Sequence, residues 1–292
     1  MDFTESTVDE PSIAKIGAGS FATVYVVRGG PIAYKQKIYL ECQADSFFNI
    51  PRPFAFNDPD LHPDGFISCS PSPIPGQRHP TSSRPHVTPG LMVPFIKATY
   101  AMDRVLAFPY DASKAIVSAY FPANLQDATI SLCRLYFGMI YPTTSRPRFV
   151  TASNFPLDEH RYTKLLESFP EFLQPVRAVA HGMGEMLAKL HYNAGVDGRD
   201  IEFVLGGSGG ADFVYFVIDF NQIRAWSKGP DVSTLVSAFF ENDPYYPRPV
   251  PNNQLYVSFK AGYLEACDPS DMTLAATFLQ AIENEQATRS LR

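Results

Sequence analysis

Cysteine is scarce and scattered in this chain. Cys42, Cys69, Cys133 and Cys267 are the only four in 292 residues, and no two stand in a C-x-x-C spacing. The six histidines are equally dispersed. That pattern argues against a zinc site and a disulfide framework, and it predicts a reduced, cytoplasmic protein. Basic runs are missing as well. With 24 Lys and Arg against 30 Asp and Glu, the net charge is −6, and no Lys/Arg stripe marks any helix. A nucleic-acid partner is therefore not expected, because phosphate neutralisation supplies most of that affinity. No apolar segment reaches the length of a membrane span. Met1-Asp2-Phe3-Thr4-Glu5 is acidic and lacks the apolar core of a signal peptide. The expected partner is a small molecule, with neither nucleic acid nor membrane, and the oligomeric state stays open.

What is present is enough apolar material for a sizeable core: 45% hydrophobic residues against 18% charged. Residues 12–39 read as three short strands, broken by Gly29-Gly30-Pro31. From Pro51 to Pro94 there are eleven prolines, and 57–90 reads as a long loop. Thr99–Val105 reads as a strand. Helices are predicted near 111–120, 124–140 and 172–193, the second from Leu125, Leu132, Leu135, Met139 and Ile140. Ile201–Leu205 and Phe213–Ile218 read as strands around Gly206-Gly207-Ser208-Gly209-Gly210, a lid or a tolerated surface loop. Helices near 231–240, 254–266 and 270–288 close the chain. A β-rich part followed by a helix-rich part predicts an α+β, bilobal architecture with a cleft between the lobes. The expected division is a β-rich N-terminal lobe at 1–104 and a helical C-terminal lobe at 105–292.

Three features stand in an order that phosphotransferases use. Ile16-Gly17-Ala18-Gly19-Ser20-Phe21-Ala22-Thr23-Val24-Tyr25 is a glycine turn between strands, where Gly17, Gly19 and Ser20 would let the backbone close over phosphates. Lys35, ending Ile32-Ala33-Tyr34-Lys35, would set a positive charge beside the phosphates. Asp219, ending Val217-Ile218-Asp219, would ligate magnesium. Taken singly, each has an ordinary reading: a hairpin turn, a solvated strand end, a satisfied turn carboxylate.

Between them lies an acidic cluster. Asp197 and Glu202 stand five residues apart just before Phe203-Val204-Leu205, so Asp197 would orient an acceptor hydroxyl and Glu202 would join Asp219 on the metal. Asp200 is an equal candidate for the catalytic role, and loop-capping acids are the plain alternative. His191 closes an apolar helix face and reads as a buried structural histidine. Only Glu41 and Asp45 lie near Lys35 as acidic partners, and Asn221 follows Asp219-Phe220 where a kinase has glycine.

Ala101-Met102-Asp103-Arg104-Val105, Cys133-Arg134-Leu135-Tyr136-Phe137-Gly138 and Asn154-Phe155-Pro156-Leu157 carry a further signal. So do Asp200-Ile201-Glu202-Phe203-Val204-Leu205-Gly206, Ile218-Asp219-Phe220-Asn221-Gln222 and Phe240-Glu241-Asn242-Asp243-Pro244-Tyr245-Tyr246-Pro247-Arg248-Pro249. These stretches resemble a fungal family catalogued as a domain of unknown function, sometimes named beside zinc-finger proteins. The resemblance spans about residues 90–265 and implies a protein-kinase-like or aminoglycoside-phosphotransferase-like fold. Through it, Asp103 and Val105 would lie at a hinge and meet an adenine. The Asn242–Pro249 loop would shape an acceptor pocket or lock helices together.

Three readings follow. The first is an ATP- and Mg2+-dependent phosphotransferase acting on a small molecule. The second is a fungal secondary-metabolism enzyme that runs other chemistry in the same cleft. The third is a non-catalytic pseudokinase that binds without turnover.

Overall fold

A computed structural model describes residues 13–18, 23–27, 32–33, 42, 46–57, 59–61, 65–68, 87–95, 99–141, 152–242 and 244–291. Among them lie seven α-helices and two sheets, a mixed α+β protein. The chain divides into two compact units, one of residues 1–36 and 53–104, the other of 37–52 and 105–292. No helix among the described residues is long and apolar enough to cross a membrane.

The first unit is built on a six-stranded sheet. Its strands are β1 (Ile13–Ala18), β2 (Thr23–Val27), β3 (Ile32–Ala33), β4 (Pro53–Asn57), β5 (Phe66–Ser68) and β6 (Thr99–Asp103), in the order β1-β2-β3-β6-β4-β5. The ladder is antiparallel throughout. Beside the sheet lies the short helix α1 (Pro89–Met92), with proline at its start, where a missing N–H costs nothing. Phe54, Ala55, Val87, Met92 and Ala101 form the buried core, with Phe66 and Phe95 packed on it. The proline-rich stretch read as loop over 57–90 therefore contributes a strand, β5, whose register with β4 runs from Ala55↔Ser68 to Asn57↔Phe66.

The second unit begins its helices with α2 (Tyr110–Tyr120) and carries a four-stranded sheet. The strands are β7 (Cys133–Leu135), β8 (Phe155–Leu157), β9 (Glu202–Gly207) and β10 (Phe213–Ile218), ordered β10-β9-β7-β8. Around it lie α3 (Glu159–Ser168), α4 (Val176–Tyr192), α5 (Ser233–Glu241), α6 (Gln254–Glu265) and α7 (Met272–Ser290). Asp158 caps α3 by accepting from the Arg161 amide, and Asn253 caps α6 through the amides of Leu255 and Tyr256. The helices α4 and α6 pack closely because Gly184 and Gly262 have no side chain. A Cβ on Gly184 would run into the Phe259 carbonyl, and one on Gly262 into that of His181.

The helix predicted over 124–140 is not formed. Leu125 and Met139 are 41% exposed and Ile140 is 89% exposed, so the apolar recurrence never made a buried face. What Cys133-Arg134-Leu135 does show is the alternation of a strand, with Cys133 and Leu135 buried and Arg134 on the other side. β7 pairs antiparallel with β9 and parallel with β8, and these partners lie far away in sequence. The segment Ser46–Ile50 belongs to this unit too. The Asn49 amide donates to the Tyr215 carbonyl and its carbonyl accepts from the Val217 amide, while Phe48 packs edge-on to Phe203.

Candidate functional site

The β9–β10 hairpin organises the site, because its register assigns each side chain to one of two faces. Tyr215 pairs with Leu205 and Val217 with Phe203, and this face is sealed: Leu205, Phe203 and Val217 are fully buried. On the other face Val214 pairs with Gly206, Phe216 with Val204 and Ile218 with Glu202. There Val214, Phe216, Ile218 and Glu202 are only half-buried, around a fully buried Val204. Val105 also reaches this face: its Cγ1 fills the volume that a Cβ on Gly206 would need. From Gly206 to Glu202 the surface turns from apolar to acidic over about 13 Å, four residues of strand.

At the acidic end the backbone is unusual. Asp219 has φ 67° and ψ 59°, and Asp200 has φ 59°, left-handed conformations that are uncommon for a residue with a Cβ. Such positions persist where surrounding contacts hold them, and they concentrate at functional sites. Here the contacts are visible. The Asp200 amide donates to Asn242 Oδ1, and Gln222 Nε2 donates to Asp200 Oδ2. Asn242 Nδ2 in turn donates to the carbonyls of Gly198 (2.9 Å) and Ile201 (3.3 Å), so one side chain from the end of α5 pins the whole acidic loop.

Glu202 is paired. Arg134 Nη2 lies 2.8 Å from its Oε1, and the two side chains keep 28% and 16% exposure. Arg134 Nη1 reaches the Tyr136 hydroxyl at 3.4 Å, and the Tyr136 ring meets Tyr245 edge-on at 4.9 Å. Burial, with the Glu202 carboxylate adding to it, pushes the Tyr245 phenol well above its ordinary range, so it stays protonated.

Asp197 has a different environment. Its side chain is fully buried. Oδ1 accepts from the amides of Arg199 (3.1 Å) and Arg224 (2.9 Å), and Oδ2 accepts from Arg224 Nε at 2.7 Å. A carboxylate held this way clamps its loop to the segment after β10. Beside it, His191 is wholly buried, with Nδ1 2.7 Å from the Tyr263 hydroxyl, which donates to Tyr192 at 3.0 Å. Burial drives the His191 pKa down to about 3, although the Asp197 main chain and charge work in the opposite direction. Its Nε2 meets no partner with ordinary hydrogen-bond geometry among the described residues.

Of the candidates read from the sequence, Asp197, Asp200, Glu202 and Asp219 lie along one loop and hairpin, and Val105 covers the same hairpin's half-buried face. Asp103 ends β6 in the first unit, and Gly17 sits in β1 opposite Val24. Gly19, Ser20 and Lys35 lie outside the described residues. Among the described residues no three His, Cys, Asp or Glu side chains gather closely enough to hold a metal ion. Sequence reasoning missed Arg134, Tyr136, Gln222 and Arg224 as site residues, while Asn242 and Tyr245 lie in the Asn242–Pro249 loop that it singled out. The alternation in Cys133-Arg134-Leu135 was the available signal for Arg134.

A family described as "Zinc finger protein" matches residues 215–271, which is 57 of the 292 residues and runs from β10 to the residue before α7. This corrects the resemblance drawn from the sequence, since the matching family is not a kinase-like one. The matched stretch contains one cysteine, Cys267, and no histidine, so its residues do not fit a zinc finger. No curated protein and no solved structure matches the chain.

Proposed function

We propose that the protein is a cytoplasmic, ATP- and magnesium-dependent phosphotransferase acting on a small molecule. The observation that carries this reading is the β9–β10 register. It sets the half-buried floor of Val105, Phe216 and Ile218 in line with Glu202, with Asp219 immediately beyond. An apolar floor running into a few polar groups suits a ligand with a flat ring at one end and charge at the other. Magnesium is commonly held by one or two carboxylates together with substrate phosphates, so Glu202 and Asp219 suffice without a third protein acid. In this reading Asp200 orients the acceptor hydroxyl, because both oxygens of the fully buried Asp197 already accept hydrogen bonds from Arg199 and Arg224. A bilobal kinase-like architecture is the finer fold that accompanies it.

The test is thermal unfolding with and without ATP plus magnesium. Nucleotide at about a hundred times its dissociation constant adds roughly 2.7 kcal/mol of stability. A metal-dependent shift in the wild type, lost in Glu202→Gln and in Asp219→Asn, supports the site. No shift in a folded wild type ends the proposal. A second reading, binding without catalysis, is favoured by the enclosure of Asp197 and by the Arg134 ion pair on Glu202. Nucleotide binding with no phosphoryl transfer to any acceptor in a broad screen would select it.

A further inference from the structure

Two buried polar atoms near Glu202 meet no partner with ordinary hydrogen-bond geometry among the described residues, Arg134 Nε and the Tyr245 hydroxyl, and the second lies beside the Tyr136 hydroxyl. Both sit in one cluster. Arg134 reaches it from β7, Glu202 from β9, Tyr136 from the residue after β7, and Tyr245 from the loop after α5. The guanidinium has five N–H donors, of which two make contacts, one to Glu202 at 2.8 Å and one to Tyr136 at 3.4 Å. Tyr245 is buried, yet the Arg134 side chain keeps 28% exposure, so part of that side chain is open to solvent although its Nε is not. The cluster holds an excess of donors over acceptors. Its one carboxylate is already engaged.

We infer that Arg134, with the hydroxyls of Tyr136 and Tyr245, binds an oxyanion of the small-molecule substrate, a carboxylate or a phosphate, beside Glu202. Planar guanidinium matches either group through paired N–H donors, and a phenol kept protonated adds a third donor from the buried side. The inference rests on the proposed substrate site and narrows it: the ligand is an acid. It also assigns the Arg134–Glu202 pair a second purpose, since Glu202 holds the guanidinium at the edge of the half-buried face.

The test omits magnesium and nucleotide, so its failure is separable from failure of the phosphotransferase reading. The full chain is unfolded thermally in inorganic phosphate, in acetate and in chloride at matched ionic strength. The expected result is a stabilising shift with phosphate or acetate over chloride, and which of the two acts identifies the anion. Arg134→Gln is expected to weaken that anion by on the order of tenfold or more, the loss of a charge-assisted hydrogen bond. Tyr245→Phe weakens it less, and Arg134→Lys less than Arg134→Gln. A merely structural arginine would lower all three melting points equally and leave the anion shift intact. Equal behaviour of phosphate, acetate and chloride in the wild type overturns the inference, with the buried donors then served by water only. So does an undiminished shift in folded Tyr245→Phe, which carries the test if Arg134→Gln fails to fold. An anion shift lost in Arg134→Gln but without any ATP–magnesium shift keeps this inference and ends the phosphotransferase reading.

Discussion

Asp197 and Glu202 stand five residues apart on one loop, and the fold treats their carboxylates in opposite ways. Asp197 is fully buried, with two main-chain amides and an arginine on its oxygens. Glu202 opens a strand on a half-buried face, held by one arginine that is itself partly in solvent. In the enclosed position three donors hold the two oxygens, so the group stabilises a conformation. In the open one the carboxylate and its arginine keep solvent access, which is what a ligand needs. Two acids of similar sequence appearance thus take different parts, and the difference comes from what surrounds them.

The comparison breaks first at Asp197. Asp197→Ala leaves two part-buried amides and the exposed Arg224 without their acceptor, and should cost roughly 2–3 kcal/mol in a urea titration. Glu202→Gln, losing a partly exposed ion pair, should cost about 1 kcal/mol or less. Equal losses at the two positions would erase the distinction between clamp and ligand group.

Next comes the histidine beside the clamp. In the fold His191 titrates near pH 3, against an unfolded value near 6.5. The unfolded chain therefore binds a proton that the folded chain refuses. Stability from this group is whole above pH 6.5 and is lost as pH falls toward 3, by at most about 1.4 kcal/mol per pH unit. Urea midpoints measured from pH 7.5 to 4.5 should fall along that slope, and a folded His191→Gln variant should flatten it. A wild type with constant midpoints over that range would show His191 to be solvated.

The two faces of the hairpin sharpen the contrast in the same way. Phe203→Ala, on the sealed face, should cost about 3–5 kcal/mol, while Phe216→Ala, on the half-buried one, should cost about half that and weaken nucleotide binding instead. Phe203→Ala and Phe216→Ala with the same stability loss would contradict the two-faced reading. The smallest change in stability is expected at Asp219, whose φ of 67° suits glycine better than aspartate. Asp219→Gly should be neutral or stabilising by up to about 1 kcal/mol while abolishing the metal-dependent shift. A loss of stability there would mean that the aspartate serves the fold.

Much of this layout is legible in the residues because local patterns encode it. The helix over Val176–Tyr192 follows from one apolar stripe, and the β9–β10 pair from two apolar runs around Gly206-Gly207-Ser208-Gly209-Gly210. The strand at Cys133–Leu135 was misread because three residues of alternation lie inside a longer stretch with accidental helical spacing. Only pairing with β9, some seventy positions later, decides the matter. The helix over Glu159–Ser168 was not anticipated, although Asp158 marks its start by accepting from the Arg161 amide.

By itself the sequence determined the mixed α+β class, the candidate acids, and the lack of cysteine–histidine spacing that a zinc finger needs. Those properties are local or compositional, so no folded partner is required to read them. The tertiary structure alone decided which acid is enclosed and which is open. Arg224, Asn242 and Arg134 reach the acidic loop from 27 to 68 positions away, and the distribution of donors around a carboxylate is a property of that convergence.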